Sequence, residues 1–300
     1  MISYSVSNNP AAHAMLESGM QKPAPRLVAI DIDGTLLDST LKVPQANLAA
    51  LNRAHEAGIH IALVTGRRHT FALPIAQSLG LDVCLISSNG AVTRTAAGET
   101  VHCDLMQSAV ARSLINYMAE FRNHAVITFD KEQRGALVVE STVAITQAIR
   151  SRWVEKNAAY IEEVTPLQNA LLSDPIQVMF CGTVQQMHPA ERRLRDGVLD
   201  AQTTVLKTQY DARDLCILDV LRKDCSKGHA LKRWAAYLGV SASETMAIGD
   251  NYNDIEMLEF AGYPFVMGNA SQDLKQSGWP VTLDADQCGV AAALEQVLGI

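Results

Sequence analysis

Four apolar segments of the sequence are each followed directly by a short group of polar side chains. These groups are DIDGT at 31–35, TGR at 65–67, SSNG at 87–90 and GDN at 249–251. A single aspartate or asparagine after an apolar segment is most often a turn residue or a helix cap. Unrelated turns have no reason to select three carboxylates together with a threonine, an asparagine and a later lysine. The set as a whole therefore indicates a functional site and not a series of unrelated turns.

Asp31 and Asp33 have the residue type and spacing that phosphoryl transfer requires. An aspartate at the end of a strand can attack phosphorus and form an aspartyl-phosphate. Asp33 is then free to act on protons, first by donating one to the leaving oxygen and later by taking one from water. The alternative interpretation makes Asp33 a turn carboxylate that holds Gly34 and Thr35.

A phosphate dianion repels carboxylates, so such a site also needs positive charge and hydrogen-bond donors. Mg²⁺ prefers oxygen ligands and can bridge Asp31 and Asp250 to a phosphate group. Lys227 comes shortly before the last of the four apolar segments and can supply a cationic donor. Thr65 and Asn89 can supply neutral donors. The sequence therefore predicts Mg²⁺ as the cofactor.

The apolar segments themselves predict the strands of a parallel sheet. Strands are expected at 27–30, 59–64 and 83–86, with helices at 44–57 and 71–79 between them. Strands and helices that alternate at these lengths form a parallel sheet covered on both faces. Ligands bind outside the carboxyl ends of the strands in such sheets, so the polar groups are expected to meet at one edge.

The same pattern returns near the C-terminus. It predicts a helix at 226–238, a strand at 244–250, a helix near 254–261, a strand at 264–267 and a helix ending near 298. The stretch between the two halves differs, because it combines helices at 105–121 and 143–157 with strands of alternating pattern. Strands of that kind suit a sheet exposed on one face.

The predicted fold class is therefore α/β, a Rossmann-like core with a parallel sheet and an inserted α+β cap domain. The predicted domains are an N-terminal extension at 1–25, the catalytic core at 26–91 and 222–300, and the cap domain at 92–221. A chain of 300 residues exceeds the usual size of one domain, which agrees with this division.

Composition and charge exclude several classes of protein. Apolar residues make up 48% of the chain, which argues against disorder. Acidic residues outnumber basic ones, 32 to 25, and the absence of a basic block disfavours nucleic-acid binding. No apolar run approaches the roughly 20 residues that cross a bilayer, and no basic leader precedes an apolar stretch at the N-terminus. We expect a cytoplasmic protein without membrane contact.

Five sequence motifs occur in a characteristic order. They are DIDGTLLD, VTGR, SSNGA, KGHAL and GDNYNDIEML, and the later segment VMGNA follows them. This pattern resembles the haloacid dehalogenase-like hydrolase superfamily and, within it, the Cof-type phosphatases. The resemblance covers residues 26–300. The extension at 1–25 and the segment LDADQCG near the end depart from the usual family pattern, but neither affects the proposed chemistry.

The resemblance implies a role for each matching residue. Asp31 would be the nucleophile, and Asp33 the general acid and base, which also offers its main-chain carbonyl to the metal. Asp31 and Asp250 would hold Mg²⁺ with that carbonyl. The phosphate ligands would be Thr65, Asn89, Lys227 and Asn253. Gly66 would have a supporting role, and Asp254 would orient the metal ligands or Lys227.

These observations predict a magnesium-dependent phosphatase that hydrolyses small phosphorylated metabolites, such as sugar phosphates or phosphorylated cofactors, through an aspartyl-phosphate. A phosphomutase that uses the same intermediate is one alternative. A phosphorylatable signalling receiver is another, although the 137 residues between Asn89 and Lys227 and the position of Asp33 argue against it. We expect a monomer or a small homo-oligomer. The sequence does not identify the substrate.

Overall fold

The computed structural model describes residues 22–149 and 153–299, which form two compact units. The described part of the core unit comprises 22–101 and 227–299, and that of the inserted unit comprises 102–149 and 153–226. Most of the N-terminal extension predicted at 1–25 lies outside the described residues.

The first part of the core unit alternates strands and helices, as the apolar pattern predicts. Its elements are β1 (Leu27–Ile30), α1 (Gln45–Glu56), β2 (His60–Val64), α2 (His69–Ser78), β3 (Val83–Ser87), β4 (Val92–Arg94) and β5 (Thr100–Cys103), the last of which continues into the inserted unit. Helix α1 begins directly after Pro44, whose ring restricts φ to a value suited to a helix start. It ends just before Gly58, which has a φ of +79°.

The inserted unit combines four α-helices with six strands among its described residues. Its elements are α3 (Ser108–Tyr117), β6 (Ala125–Thr128), β7 (Leu137–Val139), α4 (Thr142–Ile149), α5 (Trp153–Asn157), β8 (Ile161–Glu163), β9 (Gln177–Gly182), α6 (Val184–Leu194), β10 (Thr203–Tyr210) and β11 (Leu215–Arg222). The rest of the core unit adds α7 (Lys227–Leu238), β12 (Thr245–Gly249), α8 (Ile255–Phe260), β13 (Tyr263–Val266), α9 (Gln272–Lys275) and α10 (Gly289–Leu298).

The core sheet has the strand order β13-β12-β1-β2-β3-β4-β5. The strands from β13 to β3 are parallel, and β4 runs antiparallel to β3. Strand β1 lies between β12 and β2, with Leu27 opposite Thr245 on one side and His60 on the other. The chain leaves β1 toward β2 and returns to its other side at β12. Ligand sites of open α/β sheets lie where the strand order reverses in this way.

Strand β1 is buried on both faces, which explains its unbroken apolar sequence. Successive side chains of a strand point to opposite faces of the sheet. Val28 and Ile30 accordingly pack in a cluster with α1 and α10, whereas Leu27 and Ala29 pack in a cluster with α7 and α8. The predicted α/β class is confirmed.

The sheet of the inserted unit has the order β10-β11-β9-β6-β7-β8, and all its pairs are antiparallel except that of β7 with β8. On one face Ile127 and Phe180 pack in a cluster with α3 and α6. On the other face Val126 and Cys181 pack in a cluster that includes α4. The expectation of a sheet exposed on one face holds only in part, because apolar side chains of α4 and α5 pack on the second face, whereas Met179, Leu215 and Ile217 on that face stay half-buried.

The boundaries of the two units differ from the predicted domain boundaries. They fall at 101/102 and 226/227, not at 91/92 and 221/222. At the first boundary, β4 pairs with β3 and so belongs to the core sheet. At the second, β11 remains paired with β10 through Arg222. Within the part of the chain that the structure covers, no helix has the length and apolar character needed to cross a membrane.

Candidate active site

The four polar groups of the sequence follow β1, β2, β3 and β12, which are neighbours in the core sheet. These strands are parallel, so their carboxyl ends lie at one edge. Asp31, Thr65, Asn89 and Asp250 are all buried at this edge. The sheet order therefore collects side chains that are far apart in the sequence.

Lys227 lies at the centre of a buried ion network. It is the first residue of α7, and only 1% of its surface is exposed. Its Nζ atom donates hydrogen bonds to Oδ1 of Asp31 at 2.5 Å and to Oδ1 of Asp254 at 2.6 Å. Charge-assisted bonds of this length are strong, and they hold the Asp31 carboxylate in one place.

Asp254 links this network to the turn after β12. Its Oδ2 atom accepts hydrogen bonds from the main-chain N–H groups of Asp250 at 3.0 Å and Asn251 at 2.9 Å. A Cβ atom added to Gly249 would lie 2.6 Å from the Cβ of Asp254, so only glycine leaves room for this turn. Asp254 thus positions Lys227 with one oxygen and the loop that carries Asp250 with the other.

Asp250 is fixed from the opposite side by the loop after β1. Its Oδ1 atom accepts a hydrogen bond from the Thr35 hydroxyl at 3.0 Å. Gly34, with a φ of +83°, lies directly against the carboxyl group, because a Cβ atom there would be 2.5 Å from Oδ2 of Asp250. The loops after β1 and β12 are therefore fitted to each other around this carboxylate.

Carboxylate oxygens of Asp31, Asp250 and Asp254 lie within 4.8 Å of one another. This all-oxygen donor set suits a hard cation such as Mg²⁺. Both Asp254 oxygens already accept hydrogen bonds, so Asp31 and Asp250 are the better direct ligands. The carboxylate of Asp33, whose main-chain carbonyl was predicted as a ligand, is not part of this cluster.

Burial and mutual repulsion shift the pKa values of these groups. Burial raises the pKa of Asp31 to about 7, although Lys227 opposes the shift. Burial, then the charges of Asp31 and Asp254, raise the pKa of Asp250 well above its ordinary value. Burial alone would lower the pKa of Lys227, but Asp254 and Asp31 outweigh it and raise that pKa. Three buried carboxylates share one ammonium group, so an added cation would relieve their repulsion.

Asn89 and Asn253 form a second pair of predicted site residues. The Asn253 amide donates from Nδ2 to Oδ1 of Asn89 at 2.9 Å. Asn89 lies in a turn where it and Ser88 have φ values of +53° and +50°, a conformation that costs about 1–3 kcal/mol at a non-glycine residue. A Cβ atom on Gly66 would lie 3.1 Å from Oδ1 of Asn89, so the glycine keeps space for this amide.

Thr65 joins the ends of β2 and β3. Its carbonyl accepts a hydrogen bond from the N–H of Asn89 at 2.9 Å, and its own N–H donates to the Ile86 carbonyl at 2.8 Å. The Thr65 hydroxyl accepts a bond from the N–H of Arg67 at 3.1 Å. A hydroxyl that accepts one bond can still donate another, which is what a phosphate ligand requires.

Asp33 binds a partner that the sequence analysis did not include among the site residues. Arg67 donates to both oxygens of Asp33, from Nε to Oδ2 at 2.6 Å and from a terminal nitrogen to Oδ1 at 2.5 Å. The Arg67 side chain is 27% exposed and that of Asp33 is 32% exposed. The available signal was the position of Arg67 directly after Thr65 and Gly66 in the TGR motif. Thr35, which bonds to Asp250, likewise belongs to a motif, DIDGT, but the sequence analysis assigned it no role.

A family model for haloacid dehalogenase-like hydrolases matches residues 28–294. Phosphatase YwpJ of Bacillus subtilis (strain 168) is 30% identical over 294 residues, which cover 91% of this chain and 100% of that protein. Pyridoxal phosphate phosphatase YbhA of Escherichia coli (strain K12) is 30% identical over 256 residues, which cover 83% of this chain and 90% of that protein.

Solved structures share the fold. A haloacid dehalogenase-like hydrolase from B. subtilis superimposes with a TM-score of 0.76 at 27% sequence identity, covering 91% of this chain and 100% of the other. The similarity therefore extends over both the core unit and the inserted unit.

Proposed function

The chain belongs to the haloacid dehalogenase-like hydrolase family and is a phosphatase, and we propose that it hydrolyses small phosphorylated metabolites with Mg²⁺ through an aspartyl-phosphate on Asp31. The resemblance drawn from the five motifs is thereby confirmed. The metal, the intermediate and the individual roles of the residues are our proposal.

One observation carries this proposal above the others. Lys227 bonds to both Asp31 and Asp254 in a buried network. A carboxylate oxygen of Asp250 lies within 4.8 Å of carboxylate oxygens of these two aspartates. An arrangement with one positioned carboxylate, one fixed ammonium and a surplus of negative charge suits attack on a phosphate that arrives with a cation. A purely structural ion network gains nothing from the surplus, because buried unpaired charge is costly.

In the first half-reaction, an Asp31 oxygen forms a bond to phosphorus and the bond from phosphorus to the leaving oxygen breaks. Asp33 donates its proton to that oxygen, so the alcohol leaves neutral and Asp33 becomes a carboxylate. Lys227, Thr65, Asn89 and Asn253 would bind the phosphate oxygens, with Gly66 and Asp254 in the supporting roles described above.

In the second half-reaction, a water oxygen attacks phosphorus and the Asp31–phosphorus bond breaks. Asp33 takes a proton from that water, which releases hydrogen phosphate and restores the Asp31 carboxylate and the protonated Asp33. The charge on the two sides is equal, and no other reactant is consumed.

Asp31, Asp250 and the main-chain carbonyl of Asp33 would hold Mg²⁺, which when bound neutralises charge on the carboxylates and the transferring phosphate. The donor set fits this ion because all candidate ligands are oxygens. The inserted unit would set the substrate preference, since the proposed phosphate ligands all lie in the core unit.

The names of the relatives support the proposed substrate class. YbhA is named a pyridoxal phosphate phosphatase, and pyridoxal phosphate is a small phosphorylated cofactor. We therefore expect sugar phosphates and phosphorylated cofactors among the substrates of this chain. A cytoplasmic location, the absence of nucleic-acid and membrane partners, and a monomeric or small oligomeric state stay predictions of the sequence.

A phosphate-release screen tests the proposal. The protein, stripped of metal, is supplied with Mg²⁺ and a panel of sugar phosphates and phosphorylated cofactors, and free orthophosphate is measured with and without chelator. We expect magnesium-dependent release from several panel members. Full activity in chelator would contradict the metal assignment. An isomerised phosphosugar without free phosphate would favour a phosphomutase, and a phosphoprotein stable for minutes without turnover would favour a receiver.

A further inference from the structure

Arg67 contacts Asp33 in a geometry that only arginine can provide. The Nε atom and one terminal nitrogen lie along one edge of the guanidinium, and each donates to a different oxygen of the Asp33 carboxylate. Paired bonds of this kind fix the rotation of the carboxylate as well as its position. A lysine offers a point charge at the end of a flexible chain and cannot fix both.

The backbone of Arg67 is itself anchored to two strand ends. Its N–H donates to the Thr65 hydroxyl at 3.1 Å, and its carbonyl accepts a bond from the N–H of Ser88 at 2.8 Å. Thr65 and Ser88 are both about 1% exposed. The side chain of Arg67 therefore starts from a rigid base at the ends of β2 and β3 and reaches across to the loop after β1.

The two aspartates of the DIDGT segment thus have separate cationic partners. Asp31 is buried and bonds to Lys227, which it shares with Asp254. Asp33 is about one third exposed and bonds to Arg67 through both oxygens. Both contacts run from guanidinium donors to carboxylate oxygens, so Arg67 sets the orientation of the Asp33 carboxyl group.

We propose that Arg67 is a positioning residue that holds the Asp33 carboxylate for the second half-reaction, in which water attacks the phosphorylated Asp31. This inference rests on the proposed function and adds a residue that acts through Asp33. While Arg67 holds both oxygens, the carboxylate keeps one orientation, and its remaining lone pairs can accept the proton of the attacking water.

The alternatives make different kinetic predictions. An arginine that binds substrate would raise KM when replaced. An arginine that only stabilises the fold would lower the unfolding temperature without slowing one step selectively. A residue that positions Asp33 for the water step slows the release of phosphate from Asp31, so kcat and KM fall together and kcat/KM changes little.

The experiment uses the full chain with Mg²⁺ and p-nitrophenyl phosphate, whose leaving group departs with little help from an acid. Arg67→Met, Arg67→Lys and Asp33→Asn are compared with the parent protein. Phosphate bound to the protein is labelled from radioactive substrate, a chase of unlabelled substrate is added, and the rate of label loss is measured after acid quenching. This rate reports the second half-reaction directly wherever labelled protein accumulates, and the good leaving group of p-nitrophenyl phosphate favours that accumulation.

Arg26→Met is the matched control. Arg26 belongs to the same unit and also pairs with a carboxylate, Glu244, at 3.4 Å, but this contact is exposed. Exposed pairs of this kind contribute little to stability. The control should show parent rates of labelling and label loss, and unfolding temperatures of all variants identify any loss of folding.

We expect Arg67→Met to lose label about 10- to 100-fold more slowly than the parent protein, with kcat/KM within about threefold of it, because acid–base catalysis as a whole contributes about 10²–10⁴. The rate of label loss in Arg67→Lys should lie between those of the parent and Arg67→Met, since one ammonium cannot hold both oxygens of Asp33. Parent-like label loss in folded Arg67→Met would overturn the inference, as would a rise in KM without slower label loss.

The same experiment separates this inference from the proposed function. If neither the parent protein nor Asp33→Asn takes up label, the aspartyl-phosphate mechanism is wrong and the role of Arg67 falls with it. If the parent is labelled and Asp33→Asn loses label at the parent rate, the assignment of Asp33 is wrong. If Asp33→Asn is slow and Arg67→Met is not, the mechanism stands and the role of Arg67 alone is wrong.

Discussion

Gly34 is the position where one added methyl group tests the candidate site most directly. A Cβ atom there would lie 2.5 Å from Oδ2 and 2.9 Å from Cγ of Asp250. Carbon and oxygen atoms that are not bonded stay about 3.3 Å apart, so in Gly34→Ala the carboxylate must move by roughly 0.8 Å. Misplacement of a reacting group by about 1 Å can cost about 100-fold in rate.

Gly34→Ala should therefore lower kcat/KM about 100-fold and raise the Mg²⁺ concentration needed for half-maximal activity. It should also lower the free energy of unfolding by about 1–2 kcal/mol, because an alanine is strained at a φ of +83°. The steady-state assay at several Mg²⁺ concentrations measures the first effect, and urea unfolding measures the second.

Gly58→Ala is the matched control for backbone strain. Gly58 has a φ of +79°, but a Cβ atom there would have no neighbour within 4 Å. This variant should lose a similar 1–2 kcal/mol of stability and keep the parent activity and Mg²⁺ requirement. The reasoning is refuted if folded Gly34→Ala keeps its activity within twofold, or if Gly58→Ala loses as much activity as Gly34→Ala.

Three further perturbations test other parts of the site. Asp31→Asn should abolish phosphate release, and near-parent turnover would exclude Asp31 as nucleophile. In metal-free buffer at pH 8 this variant should unfold at a urea concentration no lower than the parent. Burial raises the pKa of the Asp31 carboxyl to about 7, so the cost that its ionisation adds to the folded chain is complete above that pH. Asp254→Asn should lower kcat/KM about 10- to 100-fold, since its amide NH₂ must face either Lys227 or two main-chain N–H groups. The control is Glu256→Gln, which changes a partly exposed carboxylate that lies two residues away and pairs with His229; it should change kcat/KM less than twofold, and equal losses in both variants would contradict the role of Asp254. Exchange of 102–226 for the inserted unit of a relative should change the ranking of substrates in the phosphate-release screen while Mg²⁺ dependence is kept; an unchanged ranking would place specificity in the core unit.

The sequence determined the core of the fold because local patterns there carry the necessary information. LVAI at β1 is apolar without a break, and that pattern requires burial on both faces, which α1 and α10 supply on one side and α7 and α8 on the other. Pro44 and Gly58 likewise mark the two ends of α1 through their own backbone preferences. Ligand sites of parallel sheets lie at the carboxyl ends of the strands, and this regularity predicted that one edge of the core sheet collects Asp31, Thr65, Asn89 and Asp250.

The pattern carried less information for short or edge elements. Strands β4 (VTR), β5 (TVHC) and β8 (IEE) were not predicted, because three or four residues of mixed polarity show no clear pattern, whereas the equally short β7 (LVV) and β1 (LVAI) are wholly apolar. The units consequently divide at 101/102 and 226/227, where pairing of β4 with β3 and of β11 with β10 decides which sheet each segment joins.

Only the tertiary structure decided which charges meet. Asp33 and Arg67 are 34 residues apart, and Lys227 and Asp31 are 196 apart, so no local pattern relates them. The sequence supplied the residue types, but three acidic side chains near one lysine allow several pairings. The order of strands β12, β1, β2 and β3 selects one of them, because it fixes which loop lies beside which. Side chains that are buried together must then satisfy their charges and hydrogen bonds with whatever partners that order brings within reach.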